Sequence, residues 1–302
     1  VSTVKKEYGN AAALRAAIEA RLSQQAAETG KELQWLRRRL VFVRIIARLV
    51  AYDTGAWVLK GGMAVELRRP GLARATRDID LVLTTTEIDV DDQEAVREVL
   101  LEALLDDADG DRFQFEVRHG TRLKDDAYGR PAWRFTVAAY LASKRFAELK
   151  LDIVARPEEL TGVEVRELPD VLGFAGIAPR QVSVTDLRQQ FAEKLHALTR
   201  SYSGGESTRV KDLVDLTLLV RDGVPADAEL CRAVRHVFRV RGTHHVPTEL
   251  GTLPTAWPVP FANMVQEIGL AQLSALAAHE TVDAHWRAAL VHESEEIRSG
   301  HP

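Results

Sequence analysis

Asp78 and Asp80 stand one residue apart in Arg74-Ala-Thr-Arg-Asp-Ile-Asp-Leu-Val-Leu83, where the apolar pattern reads as a buried strand. A strand places residues i and i+2 on one face and rises about 3.3 Å per residue, so both carboxylates point the same way. If their oxygens approach to ~4 Å, repulsion costs about 4 kcal/mol at an effective dielectric near 20, and a divalent cation or a proton must compensate. Magnesium suits such a pair, because it prefers hard oxygens and binds through one or two carboxylates plus substrate phosphates. Asp-x-Asp also arises by chance in a chain that is 28% charged. Its surroundings give it weight.

Upstream, Ala56-Trp-Val-Leu-Lys60-Gly61-Gly62-Met63-Ala64-Val-Glu-Leu67 reads as a short buried strand, a double-glycine turn and an amphipathic helix. Glycines there let backbone approach a ligand closely, and the start of a helix offers free N–H groups to a phosphate. A plain turn uses glycine for steric reasons as well. The element lacks the spacing and the Lys-Ser/Thr end of a P-loop, which argues against a Walker-type ATPase. Downstream, in Phe146-Ala-Glu-Leu-Lys-Leu-Asp-Ile-Val-Ala155, alternation puts Glu148, Lys150 and Asp152 on one face and Leu149, Leu151 and Ile153 on the other. Asp152 is followed by an apolar run much as Asp80 is, and is the candidate third carboxylate, a further candidate metal ligand beside Asp78 and Asp80.

Two later segments add Glu193-Lys194-Leu-His196-Ala-Leu198 and Arg209-Val-Lys211-Asp212-Leu-Val-Asp215-Leu216. Lys194, flanked by Phe191, Leu195 and Leu198, must snorkel or find an anion. Lys211 and Asp215 are spaced for a helix-surface ion pair, and His196 reads as a local hydrogen-bonding residue rather than an acid or base.

Lys-Gly-Gly, a strand bearing Asp-x-Asp and a later acidic strand together resemble the nucleotidyltransferase superfamily that includes DNA polymerase beta and CCA-adding enzymes. With the Lys-Leu-His-Ala and Asp-Leu-x-Asp-Leu helices in the same order, Lys60 to Leu216 resembles the AbiEii and MenT nucleotidyltransferase toxins. The resemblance implies that Gly61 and Gly62 grip a triphosphate, that Asp78 and Asp80 hold Mg2+, and that Lys194 contacts the nucleotide phosphates. It places Asp215 near the same site and Lys60 on its other wall. Many relatives carry Ser or Thr after the two glycines, where this chain has Met63. Backbone N–H groups must then suffice there.

The elements that must position these residues follow from periodicity. Helices are expected from Asn10 to Tyr52, divided near Gly30 and striped by Leu36, Leu40, Val43 and Ile46, to buttress a sheet. Strands are expected at 56–59, 79–84, near 112–118, 132–141 and 146–155, and helices at 62–69 and 90–107. Residues 125–131 read as a turn-rich link. Helices then dominate at 184–202, 208–221, 226–240, 261–278 and 281–298, with a loop over 201–207 at the cleft. The expectation is an α/β (α+β) fold: a mixed nucleotidyltransferase sheet flanked by helices over residues 1–165, and a mainly helical region over 166–302 that completes the cleft.

Composition limits the alternatives. A chain of 302 residues with 46% apolar content can bury one or two cores. No apolar run approaches the ~20 residues of a membrane span, and no secretory signal is evident. The lone Cys231 permits no disulfide within the chain, so a cytoplasmic protein is expected. A net charge of −4 excludes a broad basic coat for nucleic acid. Local runs, Arg37 to Arg39 after Trp35 and Arg68, Arg69, Arg74 and Arg77 before the acids, could guide a phosphate backbone. Arg77 joins Lys60, Gly61, Gly62 and Lys194 as a candidate nucleotide contact.

The reaction expected is Mg2+-dependent transfer of a nucleoside monophosphate from an NTP, with release of pyrophosphate. Resemblance to the toxins implies the 3′ end of tRNA as acceptor and a cognate antitoxin as partner. Two alternatives use the same residues differently: a metal-dependent nuclease acting on RNA, and a non-catalytic binding protein on this fold.

Overall fold

The protein is described by a computed structural model over residues 8–68, 78–85, 88–123, 132–155, 157–200 and 209–299. Two helices come first: α1 (Ala11–Thr29) and α2 (Leu33–Tyr52). The side chain of Asn10 caps α1 by accepting from the Ala13 N–H at 2.8 Å, and Gly30, at φ 68°, ends it. α2 is buried over almost its whole second half, so the expected apolar stripe widens into a helix enclosed by protein.

Next come β1 (Trp57–Lys60), α3 (Gly61–Arg68), β2 (Asp78–Leu83), α4 (Gln93–Leu105), β3 (Gln114–Val117), β4 (Thr121–Arg122), β5 (Ala132–Leu141), β6 (Lys144–Val154), β7 (Val163–Glu167) and β8 (Gln181–Thr185). Among the described residues the strands form one mixed sheet in the order β3-β5-β6-β2-β1-β8-β7, with β4 paired to β5. β2 lies centrally, antiparallel to β1 and parallel to β6. One face of the sheet packs Leu59, Ile79, Leu81, Phe135 and Leu151 into a core shared with α1, α2 and α4. On the other face a small cluster of Val58, Val82, Ala132 and Val154 lies beside the acids.

The remaining helices are α5 (Leu187–Thr199), α6 (Val210–Arg221), α7 (Ala228–Arg241), α8 (Pro258–Glu267) and α9 (Ala275–Ser299). They build a second core around Phe191, Leu213, Val234, Phe261 and Trp286. α3 bridges the two: Met63 and Ala64 join the sheet core, and Val65 joins the helical one. The helix that follows the double glycine is therefore clamped from both sides.

Three elements differ from the sequence expectation. Residues 181–185 form β8 instead of opening a helix at 184, because Val182 and Val184 alternate into the core and Asp186 interrupts the chain there. The Asp186 carboxylate caps α5 by accepting from the Gln189 N–H at 2.7 Å. β7 escaped notice because it is a short edge strand whose Val163 and Val165 are exposed. The sheet thus runs on past residue 155. The helix expected over 261–278 is broken into α8 and α9 around Gly269, which adopts φ 74°. The expected link at 125–131 and loop at 201–207 lie outside the described residues.

α2 carries two arginines into the sheet core. Arg44 and Arg48, at 2% and 3% exposure, meet the fully buried Asp111. Arg44 Nε donates to Asp111 at 2.7 Å and its Nη2 to Asp109 at 2.6 Å; Arg48 pairs with Asp111 and with Asp107, the latter at 3.0 Å. Arg180, before β8, closes the cluster on Asp109 at 2.6 Å. Removing one partner of such a buried group strands the others without compensation, at a cost of about 3 to 5 kcal/mol. Asp111→Ala is accordingly expected to lower the urea-unfolding free energy by that amount; a loss below about 1 kcal/mol would show that water reaches the arginines.

Candidate active site

Strand pairing assembles the site before any side chain is considered. Lys60 is the register partner of Asp80, Asp80 of Asp152, and Asp152 of Arg134. Directly paired residues share a face. One sheet face therefore carries a row of charges across β1, β2, β6 and β5: cation, acid, acid, cation. Asp78 lies two residues before Asp80 on that face.

The double-glycine turn reaches this row directly. Gly61 has φ 67°, a conformation that a side chain rarely adopts, and a Cβ built on it would lie 2.1 Å from Asp80 Oδ2. Glycine is required here twice over, once for the turn and once to admit the carboxylate. Burial pushes Asp80 up to about 6; Lys60 opposes this, Asp152 reinforces it and Lys194 opposes it. The carboxylate of Asp80 accepts no hydrogen bond from another described residue. A desolvated carboxylate with a raised pKa and no donor fits a cation.

Asp152 is held differently. Arg134 grips it with two hydrogen bonds, Nε to Oδ1 at 2.7 Å and Nη2 to Oδ2 at 2.6 Å, while the same Nη2 reaches Asp78 at 3.3 Å. Hydrogen bonding to Asp152 raises the Arg134 pKa further above its ordinary value. Among the described residues no three acid, histidine or cysteine side chains are grouped as a metal cluster. The pair Asp78 and Asp80 fits a magnesium ion that takes its other ligands from phosphate and water.

From the helical side, Lys194 projects from α5 between two buried acids of α6, at 2.7 Å from Asp215 and 3.3 Å from Asp212. Its charge is felt by Asp80. The ammonium of Lys60 lies 3.9 Å from Glu193, the neighbour of Lys194. Glu193 accepts from Gln189 at 2.9 Å and lies 3.8 Å from Arg241, which also binds Glu159 just beyond β6.

His196 ends this network. Burial first, then the charge of Arg241, brings it down to about 3, so the ring is neutral. With Nδ1 accepting from Arg241 Nη1 at 3.4 Å, Nε2–H donates to Thr243 Oγ1 at 2.7 Å. The Thr243 hydroxyl then donates to His244 Nδ1 at 2.9 Å, and His244 Nε2–H to Thr199 Oγ1 at 2.9 Å. Thr199 finishes on the Leu195 carbonyl at 2.9 Å. His196 is a joint between α5 and α7.

Of the residues singled out from sequence, the structure brings together Lys60, Gly61, Asp78, Asp80, Asp152, Lys194 and Asp215, and sets Gly62 at the start of α3. Arg77 lies outside the described residues, as do Arg69 and Arg74. Arg68 binds Glu164 and the Thr185 carbonyl, tying α3 to the sheet edge. Arg37 pairs with Glu19 and Arg39 with Glu66. Sequence reasoning missed Arg134 and Arg241, and gave no role to Glu193 or Asp212 although both lie in the segments it quoted. A local signal existed only for Asp212, which shares a helical face with Asp215 at i, i+3.

A family profile described as the nucleotidyl transferase AbiEii toxin of type IV toxin–antitoxin systems matches residues 44–298. Among solved structures, JHP933 from Helicobacter pylori is similar at 17% identity, with 89% of this chain and 95% of that one covered and a TM-score of 0.43. An antigenic nucleotidyltransferase-like protein from Paracoccidioides brasiliensis is similar at 14% identity, with 68% and 89% covered and a TM-score of 0.39. Comparison with curated proteins gave no match.

The environment of Asp80 has a measurable cost. Folding raises its carboxyl from 3.8 to about 6, so in that window the folded chain holds a proton that the unfolded chain has lost. Stability from this group is therefore present at low pH and falls as pH rises from about 4 to 6, by roughly 2 to 3 kcal/mol. In EDTA at pH 8, Asp80→Asn is expected to unfold at higher denaturant than the parent protein. At pH 3.5 the advantage should vanish, and equal midpoints at pH 8 would refute the assignment.

Proposed function

The chain belongs to the AbiEii family of nucleotidyl transferase toxins, and on that footing we propose that it transfers a nucleoside monophosphate from an NTP to the 3′ end of tRNA in a magnesium-dependent reaction. The observation that carries the reading is the contact between the Gly61 turn and Asp80. A phosphate at the start of α3 and a cation on Asp80 would be neighbours, as a metal–triphosphate complex requires.

Asp78 and Asp80 would hold the magnesium ion, which when bound would neutralise the nucleotide phosphates and the leaving pyrophosphate. Backbone N–H groups of Gly61 and Gly62 would bind phosphate without help from a hydroxyl, since Met63 follows them. Lys194, aimed by Asp212 and Asp215, would add its charge from the helical side, Lys60 would do so from β1, and Arg77 is a further candidate contact. Asp152 and Arg134 would border the acceptor. The acceptor oxygen bonds to the α-phosphorus as the bridging bond to the β-phosphate breaks; the hydroxyl proton passes to solvent and pyrophosphate leaves. Positioning and electrostatics supply most of the acceleration in such chemistry.

Transfer to the 3′ end would block aminoacylation and so arrest growth, and a toxin of this kind requires a cognate antitoxin. No described helix is long and apolar enough to cross a membrane.

Incubation with total tRNA, Mg2+ and each α-labelled NTP in turn should place label in tRNA and identify both base and acceptor. Asp80→Ala should abolish labelling with an unchanged circular dichroism spectrum, and Lys194→Ala should reduce it about 100-fold, the scale of losing one preorganised charge contact. Full activity in Asp80→Ala would sink the proposal. Shortened RNA formed without any NTP would establish the nuclease instead.

A further inference from the structure

We infer that Arg134 takes the place of a second metal ion, so that the site holds one divalent cation, on Asp78 and Asp80. The inference rests on reading those two aspartates as a magnesium site. It concerns a residue that no motif in the chain marks.

Three observations carry it. The guanidinium occupies the position a second cation would need, in contact with both Asp152 and Asp78. Its bidentate grip engages both oxygens of Asp152, which is only 13% exposed, so a metal on this carboxylate would share it with the arginine, like charge against like at close range. The grip is built into the sheet: Arg134 and Asp152 are register partners, and Phe135 and Leu151, paired on the opposite face, are fully buried. Neither strand can slip to release the pair without carrying a charge into the core.

Electrostatics points the same way. A second ion would face the fixed guanidinium at close range.

The consequence is chemical. A metal ion can coordinate an attacking hydroxyl and lower its pKa. A guanidinium has five N–H donors and no site for a lone pair. Nη1 of Arg134 makes no hydrogen bond to another described residue, so its two N–H groups are available to an acceptor or phosphate oxygen. Arg134 would orient the nucleophile without acidifying it.

The count of bound ions tests this. Mn2+ would be titrated by electron paramagnetic resonance into the full chain, with a non-hydrolysable α,β-methylene NTP present. One ion per chain is expected for the parent protein and two for Arg134→Gln, in which Asp152 is freed. Two ions on the parent protein overturn the inference, as does one ion on both proteins. No ion on the parent would remove the metal reading of Asp78 and Asp80 and this inference with it. Should Arg134→Gln fail to fold, the parent count decides alone. Loss of nucleotide transfer with one ion bound would sink the proposed reaction and leave the inference standing.

Discussion

Asp80 and Asp152 face each other from neighbouring strands, and the repulsion between them is the constraint around which the site is arranged. Adjacent strands lie about 4.8 Å apart. Two anions fixed at one register must be neutralised from the flanks, and β1 and β5 do so with Lys60 and Arg134. The row holds because the opposite face of the same strands buries Leu59, Ile79, Leu151 and Phe135. A slip of one residue would reverse every side chain and send a charge into the core. Apolar packing on one face thereby sets the electrostatics of the other.

The helical region extends this arrangement. Lys60 answers to Asp80 on one side and to Glu193 on the other, and Glu193 belongs to α5. Arg241 of α7 stands beside Glu193 and binds Glu159, beyond the end of β6. Because His196 stays neutral, the hydrogen bonds from Arg241 to the Leu195 carbonyl run in one direction only. Such a chain has one satisfied arrangement, and breaking any link leaves a partly buried polar group without its partner. The ammonium of Lys60 is thus placed from the helical region as well as from the sheet.

What could be read from sequence was local. The shared face of Asp78 and Asp80, the turn at Gly61 and the amphipathic helices all follow from spacing within a few residues. Asp152 was found because its strand alternates cleanly. Arg134 was not, since its meaning lies in a register with Asp152, 18 positions further along the chain. Lys194 was read as having either to snorkel or to find an anion; that it meets two, Asp215 and Asp212, required the packing of α5 on α6. β7 and β8 were passed over because one exposes its valines and the other is only five residues long.

A comparison inside the molecule sharpens what marks the site. Asp107, Asp109 and Asp111 also form an Asp-x-Asp-x-Asp run, with the same spacing as Asp78 and Asp80. Arg44, Arg48 and Arg180 meet these three acids one for one, and the cluster is closed. At the active face Asp78 and Asp152 share Arg134, while the carboxylate of Asp80 accepts no hydrogen bond from another described residue and has its pKa raised by burial. On the helical side Asp212 and Asp215 share Lys194, and Arg209 lies 3.6 Å from Asp212. Spacing of acids is therefore a weak guide to metal binding in this chain; burial of a carboxylate without a hydrogen-bond donor, as at Asp80, is the stronger one. A fold can silence an acidic motif by supplying arginines from elsewhere, and that supply becomes visible only when distant segments are brought together.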